Sequence, residues 1–77
     1  MRYFFHVDDR VSQTEDKEGT EFRDLTEVRR EAHRILAEIA GHELDADGQR
    51  VSVDVRISGG KWIYRATLTI TGVANQS

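Results

Sequence analysis

Two alternating runs of apolar and polar residues stand on either side of a glycine pair in the C-terminal half of the chain. The runs are residues 50–57, RVSVDVRI, and residues 62–70, WIYRATLTI, and the pair is Gly59-Gly60. Strict alternation is typical of half-buried strands, and glycine tolerates the positive φ angles that a two-residue hairpin turn requires. The pattern therefore predicts a β-hairpin over residues 50–70.

The alternation also predicts the register of this hairpin. A two-residue turn places apolar residues opposite each other on one face, pairing Ile57 with Trp62, Val55 with Tyr64, Val53 with Ala66 and Val51 with Leu68. The other face then pairs Asp54 with Arg65 and Ser52 with Thr67. A slip of one residue destroys this match, because it moves every side chain to the opposite face. We expect one apolar face and one polar face, with Ile63 as an apolar residue on the polar face.

A stripe of apolar residues at helical spacing predicts one amphipathic helix over residues 25–40. The stripe consists of Leu25, Val28, Ala32, Ile35, Leu36, Ile39 and Ala40. Asp24 stands at the N-cap position and Glu27 follows three residues later, which is typical of a helix start. Gly41 suits the helix end, although a helix can pass through a glycine at a cost of about 1 kcal/mol relative to alanine.

The N-terminal segment predicts two further strands. Residues 2–8, RYFFHVD, are rich in aromatic and β-branched residues, with Phe4 and His6 on one face of the strand. The shorter alternation of residues 10–14 indicates a weaker strand that returns antiparallel after a tight turn at Asp8-Asp9. Residues 15–18 are polar, and they predict a loop.

Together these elements predict an α+β fold with the order β-β-α-β-β. A small, mainly antiparallel sheet carries one amphipathic helix, which packs on the apolar face of the hairpin. The 77 residues suffice for a single domain over residues 1–77, close to the size at which one core is only marginally sufficient, so a partner subunit is a reasonable expectation. The tail, residues 72–77, is expected to be frayed.

Composition and charge reduce the number of functional classes that fit this chain. The sequence has no cysteine, which excludes disulfides, zinc–thiolate sites and thiol nucleophiles. The formal net charge of −3 argues against a dominant surface for nucleic acid or anionic membranes. Residues 8–27 hold eight acidic and three basic residues, whereas residues 50–65 hold four basic residues and one acidic residue. The sequence shows no signal peptide and no segment of membrane-spanning length, so we expect a cytoplasmic protein.

No arrangement of side chains predicts catalysis. His6 and Asp8 share a strand face and can pair, but a hydrolytic site also needs a nucleophile or an open metal position. His33 lies off the apolar stripe, and His42 lies at the helix end. The acidic alternation of residues 43–48 differs from a calcium loop, because a strand follows it instead of a helix. We expect no enzyme, no metal site and no cofactor.

The remaining hypothesis is association with another molecule through the polar sheet face. The candidate interaction surface consists of Phe4, His6, Arg56, Ile63 and Arg65. The expected occupant is a second copy of the chain or an unidentified protein, which makes the domain an adaptor or regulatory module. Nucleic acid is the alternative, because the arginines offer phosphate contacts, but Trp62 and Tyr64 are predicted to face inward, where they cannot stack on bases.

Three segments carry a resemblance to known proteins: the opening RYFFHVDD, then EGTEFRDLTEVRREAHRILAEIA, then DADGQRVSVDVRISGGKWIYRATLTI. They resemble a family of short bacterial proteins known only as a domain of unknown function. The resemblance covers nearly the whole chain, and it implies a stand-alone intracellular domain without a known activity, cofactor or catalytic residue. A looser similarity exists to HicB-type antitoxins, which also begin with a strand, pass through an acidic-glycine loop and enter a helix at an aspartate-leucine step. The glycine-cysteine segment of those antitoxins and their appended DNA-binding region are not found in this sequence.

Overall fold

The computed structural model describes residues 1–9, 12–42 and 48–75. Along these residues the elements are β1 (Arg2–Asp8), β2 (Gln13–Thr14), β3 (Thr20–Glu21), α1 (Leu25–His42), β4 (Arg50–Ile57) and β5 (Trp62–Thr69). All strand pairs are antiparallel. The predicted α+β class, with one helix and an antiparallel sheet, is confirmed, and a short third strand, β3, precedes the helix.

The sheet is built around the pair β1 and β4. Its order is β2-β1-β4-β5, and β3 also pairs with β1. At the β1 edge the two short strands pair with opposite ends of β1: Val7 faces Thr14 of β2, and Tyr3 faces Thr20 of β3. The β1 edge is therefore covered in two pieces, whereas β5 is the last strand at the other edge among the described residues.

One face of the sheet and one stripe of α1 form the core. The buried residues are Tyr3, Phe5, Val28, Ala32, Leu36, Val51, Val53 and Val55. Phe22, just before the helix, packs on this cluster with its ring centroid 5.9 Å from that of Phe5 and 6.3 Å from that of Tyr3. Each large apolar side chain that is fully buried contributes roughly 1.5 to 3 kcal/mol before the entropy cost. The helix therefore covers one face of the sheet and leaves the opposite face, within the described residues, without a helix.

The N-terminal end of α1 is stabilised by side-chain acceptors for its backbone N–H groups. Asp24 Oδ1 accepts the backbone N–H of Glu27 at 3.0 Å, as expected of an N-cap residue. The Glu27 carboxylate accepts the N–H of Arg23 at 3.0 Å. The helix begins at Leu25 as predicted, but it passes through Gly41 and ends at His42, two residues beyond the predicted end. Leu25 is 47% exposed and so does not belong to the buried stripe.

The segment between β1 and α1 differs from the prediction. Strand β2 occupies only residues 13 and 14 of the predicted span 10–14, and residues 10 and 11 lie outside the described part of the chain. On either side of them, Asp9 Oδ1 accepts the N–H of Ser12 at 2.7 Å. Strand β3 was not predicted, because two residues are too few to show an alternation.

The predicted hairpin is confirmed, with one correction to its register. The pairs from Val51 with Leu68 to Val55 with Tyr64 are as predicted. Between Val55 and Arg56 the register shifts, and Arg56 instead of Ile57 faces Trp62. The predicted pairing of Ile57 with Trp62 is therefore wrong.

The cause of this shift is the length of the connection. Gly60 donates its N–H to Ile57 O at 3.0 Å, and Ile57 donates to Lys61 O at 3.0 Å. Three residues, 58–60, therefore form the loop in place of the predicted two, and both glycines have positive φ angles of 95° and 90°. The extra loop residue turns Trp62 to the face opposite Val55. A bulge at Ile63 then restores the register at Tyr64, and Ile63 packs against the core.

Candidate functional site

The face of the sheet opposite α1, here called the outer face, carries three rows of side chains across β1, β4 and β5. Residues directly opposite each other in antiparallel strands share a face. The rows are Phe4, Arg56 and Trp62, then His6, Asp54 and Arg65, then Asp8, Ser52 and Thr67. No helix or strand of the described chain packs on the outer face.

The first row places an arginine between two aromatic side chains. Phe4 and Arg56 are half-buried, and Trp62 is 53% exposed. The guanidinium carbon of Arg65 lies 4.6 Å from the centroid of the Trp62 ring, which is the geometry of a cation–π contact. The indole is therefore held against the outer face while half of its surface remains open to solvent.

The second row contains a two-bond ion pair. Arg65 donates from Nε to Asp54 Oδ1 and from Nη2 to Oδ2, the latter at 3.0 Å. The hydrogen bond from Arg65 lowers the pKa of Asp54; partial burial opposes this effect, and the charges of Arg65, Arg56 and His6 add to it. The same bond raises the pKa of Arg65. Asp54 is therefore an anion at neutral pH, and both of its oxygens are engaged by Arg65.

Arg56 is less well satisfied than its neighbour. Its Nη2 lies 4.0 Å from Asp54 Oδ2, which is too long for a hydrogen bond. Its Nε is buried and has no hydrogen-bond partner among the described residues. A guanidinium carries five N–H donors and a positive charge. The Arg56 side chain is 40% exposed, so its Nη donors are presented on the outer face next to Phe4 and Trp62, whereas its buried Nε is not.

Two adjoining depressions, here called the outer groove, run along this face. Their volumes are about 210 Å³ and 390 Å³, and both are lined by His6, Glu15 and Arg56. The first depression is also lined by Asp8 and Asp54. The second depression extends past Phe4 to the hairpin loop. The groove thus combines an aromatic end with a charged end.

The loop that borders the outer groove is fixed by Asp16. Its Oδ2 accepts the N–H of Phe5 at 3.1 Å, and its Oδ1 accepts those of Gly19 and Glu18 at 3.0 Å and 3.2 Å. Burial acts to raise the pKa of Asp16, but these backbone bonds, together with the charge of His6, outweigh it and the pKa is lowered. An ionised carboxylate therefore holds the loop against β1.

The structure brings together four of the five residues of the predicted interaction surface. Phe4, His6, Arg56 and Arg65 lie in the first two rows of the outer face. Ile63 does not, because the bulge turns it toward the core. Trp62 takes its place and was not predicted there. The signal in the sequence was Ile63 itself, since a lone apolar residue in an otherwise polar row suggests a shift in register.

The histidines occupy three separate environments. His6 lines the outer groove together with Asp8, with which it shares a strand face as predicted, and it lies opposite Asp54 of β4. His33, on the exposed side of α1, shares a 2.9 Å hydrogen bond with the hydroxyl of Tyr64. His42 ends the helix.

Within residues 1–9, 12–42 and 48–75, no group of three or more histidine and carboxylate side chains is placed to hold a metal ion. Residues 43–47, which include three acidic residues, lie outside the described residues.

Comparison with known families gives one match. The family described as a domain of unknown function, DUF6894, matches residues 2–69, and the chain therefore belongs to this family. The predicted resemblance to such a family is thus confirmed, whereas the match lends no support to the similarity with HicB-type antitoxins. Searches of curated proteins and of solved structures each found no match. Helix α1 is too short or too polar to cross a membrane.

Proposed function

We propose that this member of the DUF6894 family is a non-catalytic protein-interaction module that binds its partner in the outer groove. The observation that supports this proposal is the row in which Arg56 stands between Phe4 and Trp62. Aromatic residues and arginine are the types enriched at the centres of protein interfaces, where they supply most of the binding energy. A sheet face on which these three side chains remain partly exposed suits recognition better than it suits solvation alone.

The side chains of the groove and of the adjoining Trp62 also indicate the chemistry of the partner. The open half of the Trp62 indole and the ring of Phe4 favour an apolar side chain. The exposed Nη donors of Arg56 favour a carboxylate, which a guanidinium binds through two parallel hydrogen bonds. We therefore propose a protein segment that presents an apolar side chain beside an acidic one. The module acts as an adaptor or regulator in the cytoplasm, a compartment that suits its cysteine-free composition.

Affinity capture from lysate of the native cells, followed by a direct binding measurement, tests this function. Trp62 is the single tryptophan of the sequence and lies opposite the groove residue Arg56, so its fluorescence reports on the outer face beside the groove. We expect the captured protein to change the Trp62 fluorescence of the wild type, and the double variant Trp62→Ala/Arg56→Gln to lose the captured protein. The matched control is Arg30→Gln, which removes an exposed arginine from α1. Equal recovery by the double variant and by the control would refute the proposal.

Single-stranded nucleic acid is the second candidate, and it is favoured by one observation. The structure places Trp62 on the outer face, where its ring can stack on a base, as can that of Phe4. The carboxylates of Asp8, Glu15 and Asp54 along the same groove oppose a polyanion. A regulator of the antitoxin type would be one form of this candidate.

A fluorescence titration separates the two candidates. Nucleic-acid binding predicts saturable quenching of Trp62 by a mixed-sequence single-stranded oligonucleotide, with an affinity that falls as salt rises and that Arg56→Glu weakens further. Under the protein-binding proposal, we expect no saturable change at physiological salt.

A further inference from the structure

The two edges of the sheet differ in how far their backbone N–H and C=O groups are paired. At the β1 edge, β2, β3 and the Asp16 carboxylate engage the backbone. At the other edge, β5 runs for eight residues, and no described strand pairs on its outer side. Natural sheets protect such edges with proline, with lysine, with inward-pointing charges or with short strands. Within Trp62–Thr69 the only charged residue is Arg65, and there is no proline or lysine.

The direction of the backbone groups along β5 follows from its pairing with β4. Ile70 donates its N–H to Gln49 O at 2.9 Å and accepts the N–H of Gly48 at 2.7 Å, so both of its backbone groups point toward β4. In an antiparallel ladder this direction alternates from residue to residue. Arg65 and Thr67 therefore point their N–H and C=O groups away from β4, along the open edge.

An apolar recess lies directly beside this edge on the helix side of the sheet. It has a volume of about 470 Å³ and is lined by His33, Leu36, Ala37, Tyr64, Ala66, Thr67 and Leu68. Tyr64, Ala66 and Leu68 pack against the core but remain only half-buried. Helix α1 thus leaves the β5 side of the apolar face partly uncovered.

We propose that β5 pairs antiparallel with β5 of a second copy of this chain, across a two-fold axis at Ala66. In this register Tyr64 of each copy faces Leu68 of the other on the helix side. On the outer face Arg65 faces Thr67, so no like charges meet. The strand is therefore complementary to itself, and this property favours a second copy over an unrelated strand. The paired copies share one continuous sheet and cover both apolar recesses.

The register also specifies the hydrogen bonds between the copies. Thr67 donates its N–H to the C=O of the partner subunit's Arg65 and accepts the N–H of that residue, and the two-fold axis repeats both bonds. Proline at position 67 removes two of these four bonds, yet proline is tolerated at an edge position whose N–H does not serve its own sheet. The variant Thr67→Val is the matched control, since it retains the N–H and the branched side chain while it loses the hydroxyl that bonds Ser52 Oγ at 3.0 Å.

Light scattering coupled to gel filtration tests this proposal on the full chain at high micromolar concentration. We expect the wild type and Thr67→Val to have twice the monomer mass of 8.8 kDa, and Thr67→Pro to have the monomer mass. Ala66→Lys provides a second variant, because it places two positive charges opposite each other at the axis; it decides the question if Thr67→Pro does not fold. A monomeric wild type, or a folded Ala66→Lys variant that remains dimeric, would overturn the proposal. A monomeric wild type leaves the outer groove proposal intact, because that groove lies on a different surface.

Discussion

The carboxylate of Asp16 takes the place of a neighbouring strand beside Phe5. Strand β2 pairs with β1 at Val7, and β3 pairs with it at Tyr3, so the N–H of Phe5 lies between the two short strands. Asp16 Oδ2 accepts this N–H at 3.1 Å. One side chain thereby closes the gap in the sheet edge and positions the loop that borders the outer groove.

Removal of this carboxylate is expected to destabilise the fold. Asp16→Ala leaves the partly buried N–H of Phe5 without its acceptor, and a polar group that loses its partner in this way costs about 1 to 3 kcal/mol. We expect the free energy of unfolding in urea to fall by this amount. Glu15→Ala, at the exposed neighbouring position, is the control and should change it little. Equal unfolding midpoints for the two variants would show that Asp16 does not hold the edge.

The same residue makes stability depend on pH. The pKa of Asp16 is lowered in the folded protein, because bonds from backbone N–H groups outweigh the effect of burial. Its contribution is therefore complete above the ordinary carboxyl pKa and is lost as pH falls through the lower folded-state pKa. We expect the difference in unfolding free energy between the wild type and Asp16→Asn to shrink over this acidic range. A difference that stays constant down to the lowest pH at which the protein folds would contradict this.

Gly19 is expected to resist substitution for two separate reasons. Its φ angle is +73°, and an added Cβ would lie 2.7 Å from Arg2 Cγ and 2.9 Å from Phe4 Cε2. Gly48 has a similar φ of +84° but no atom within 4 Å of such a Cβ. Gly48→Ala therefore measures backbone strain alone, about 1 to 2 kcal/mol. We expect Gly19→Ala to lower the unfolding free energy by about 1 kcal/mol more, because of the added contacts.

The bulge at Ile63 predicts an unusual order of stability effects at two adjacent residues. Ile63 packs against the core, whereas Trp62 is 53% exposed on the outer face. We expect Ile63→Ala to lower the unfolding free energy by about 1 to 3 kcal/mol and Trp62→Ala to lower it less, although tryptophan is the larger side chain. Chemical denaturation of both variants measures the two losses. A larger loss for Trp62→Ala would indicate that Trp62 is buried in the core, and it would contradict the bulge.

Much of the fold was predictable because local patterns determine it. The aromatic and β-branched run of residues 2–8 coincides with β1, and Asp24 begins the helix as its chemistry requires. The register from Val51 to Val55 follows from parity, since any one-residue slip there would bury Asp54.

The parts that were missed depend on contacts beyond the local pattern. Both a two-residue and a three-residue loop fit the segment from Ser58 to Lys61, and each leaves one large apolar residue, Ile63 or Trp62, on the outer face. The tertiary structure buries Ile63, the β-branched residue, and exposes Trp62, whose ring Arg65 can cover. Likewise, the role of Asp16 depends on a gap between two strands that are too short to show any pattern. The position of the outer face was therefore predictable, whereas the presence of Trp62 on it was not.

The most direct test of the outer face is the position of the Trp62 indole in solution. In a two-dimensional NOE spectrum of the protein, we expect the indole protons to show contacts with the side chain of Arg65 and none with the methyl groups of Val55. Contacts between the indole and the Val55 methyl groups would contradict the bulge, the row of Phe4, Arg56 and Trp62, and the proposed binding site together.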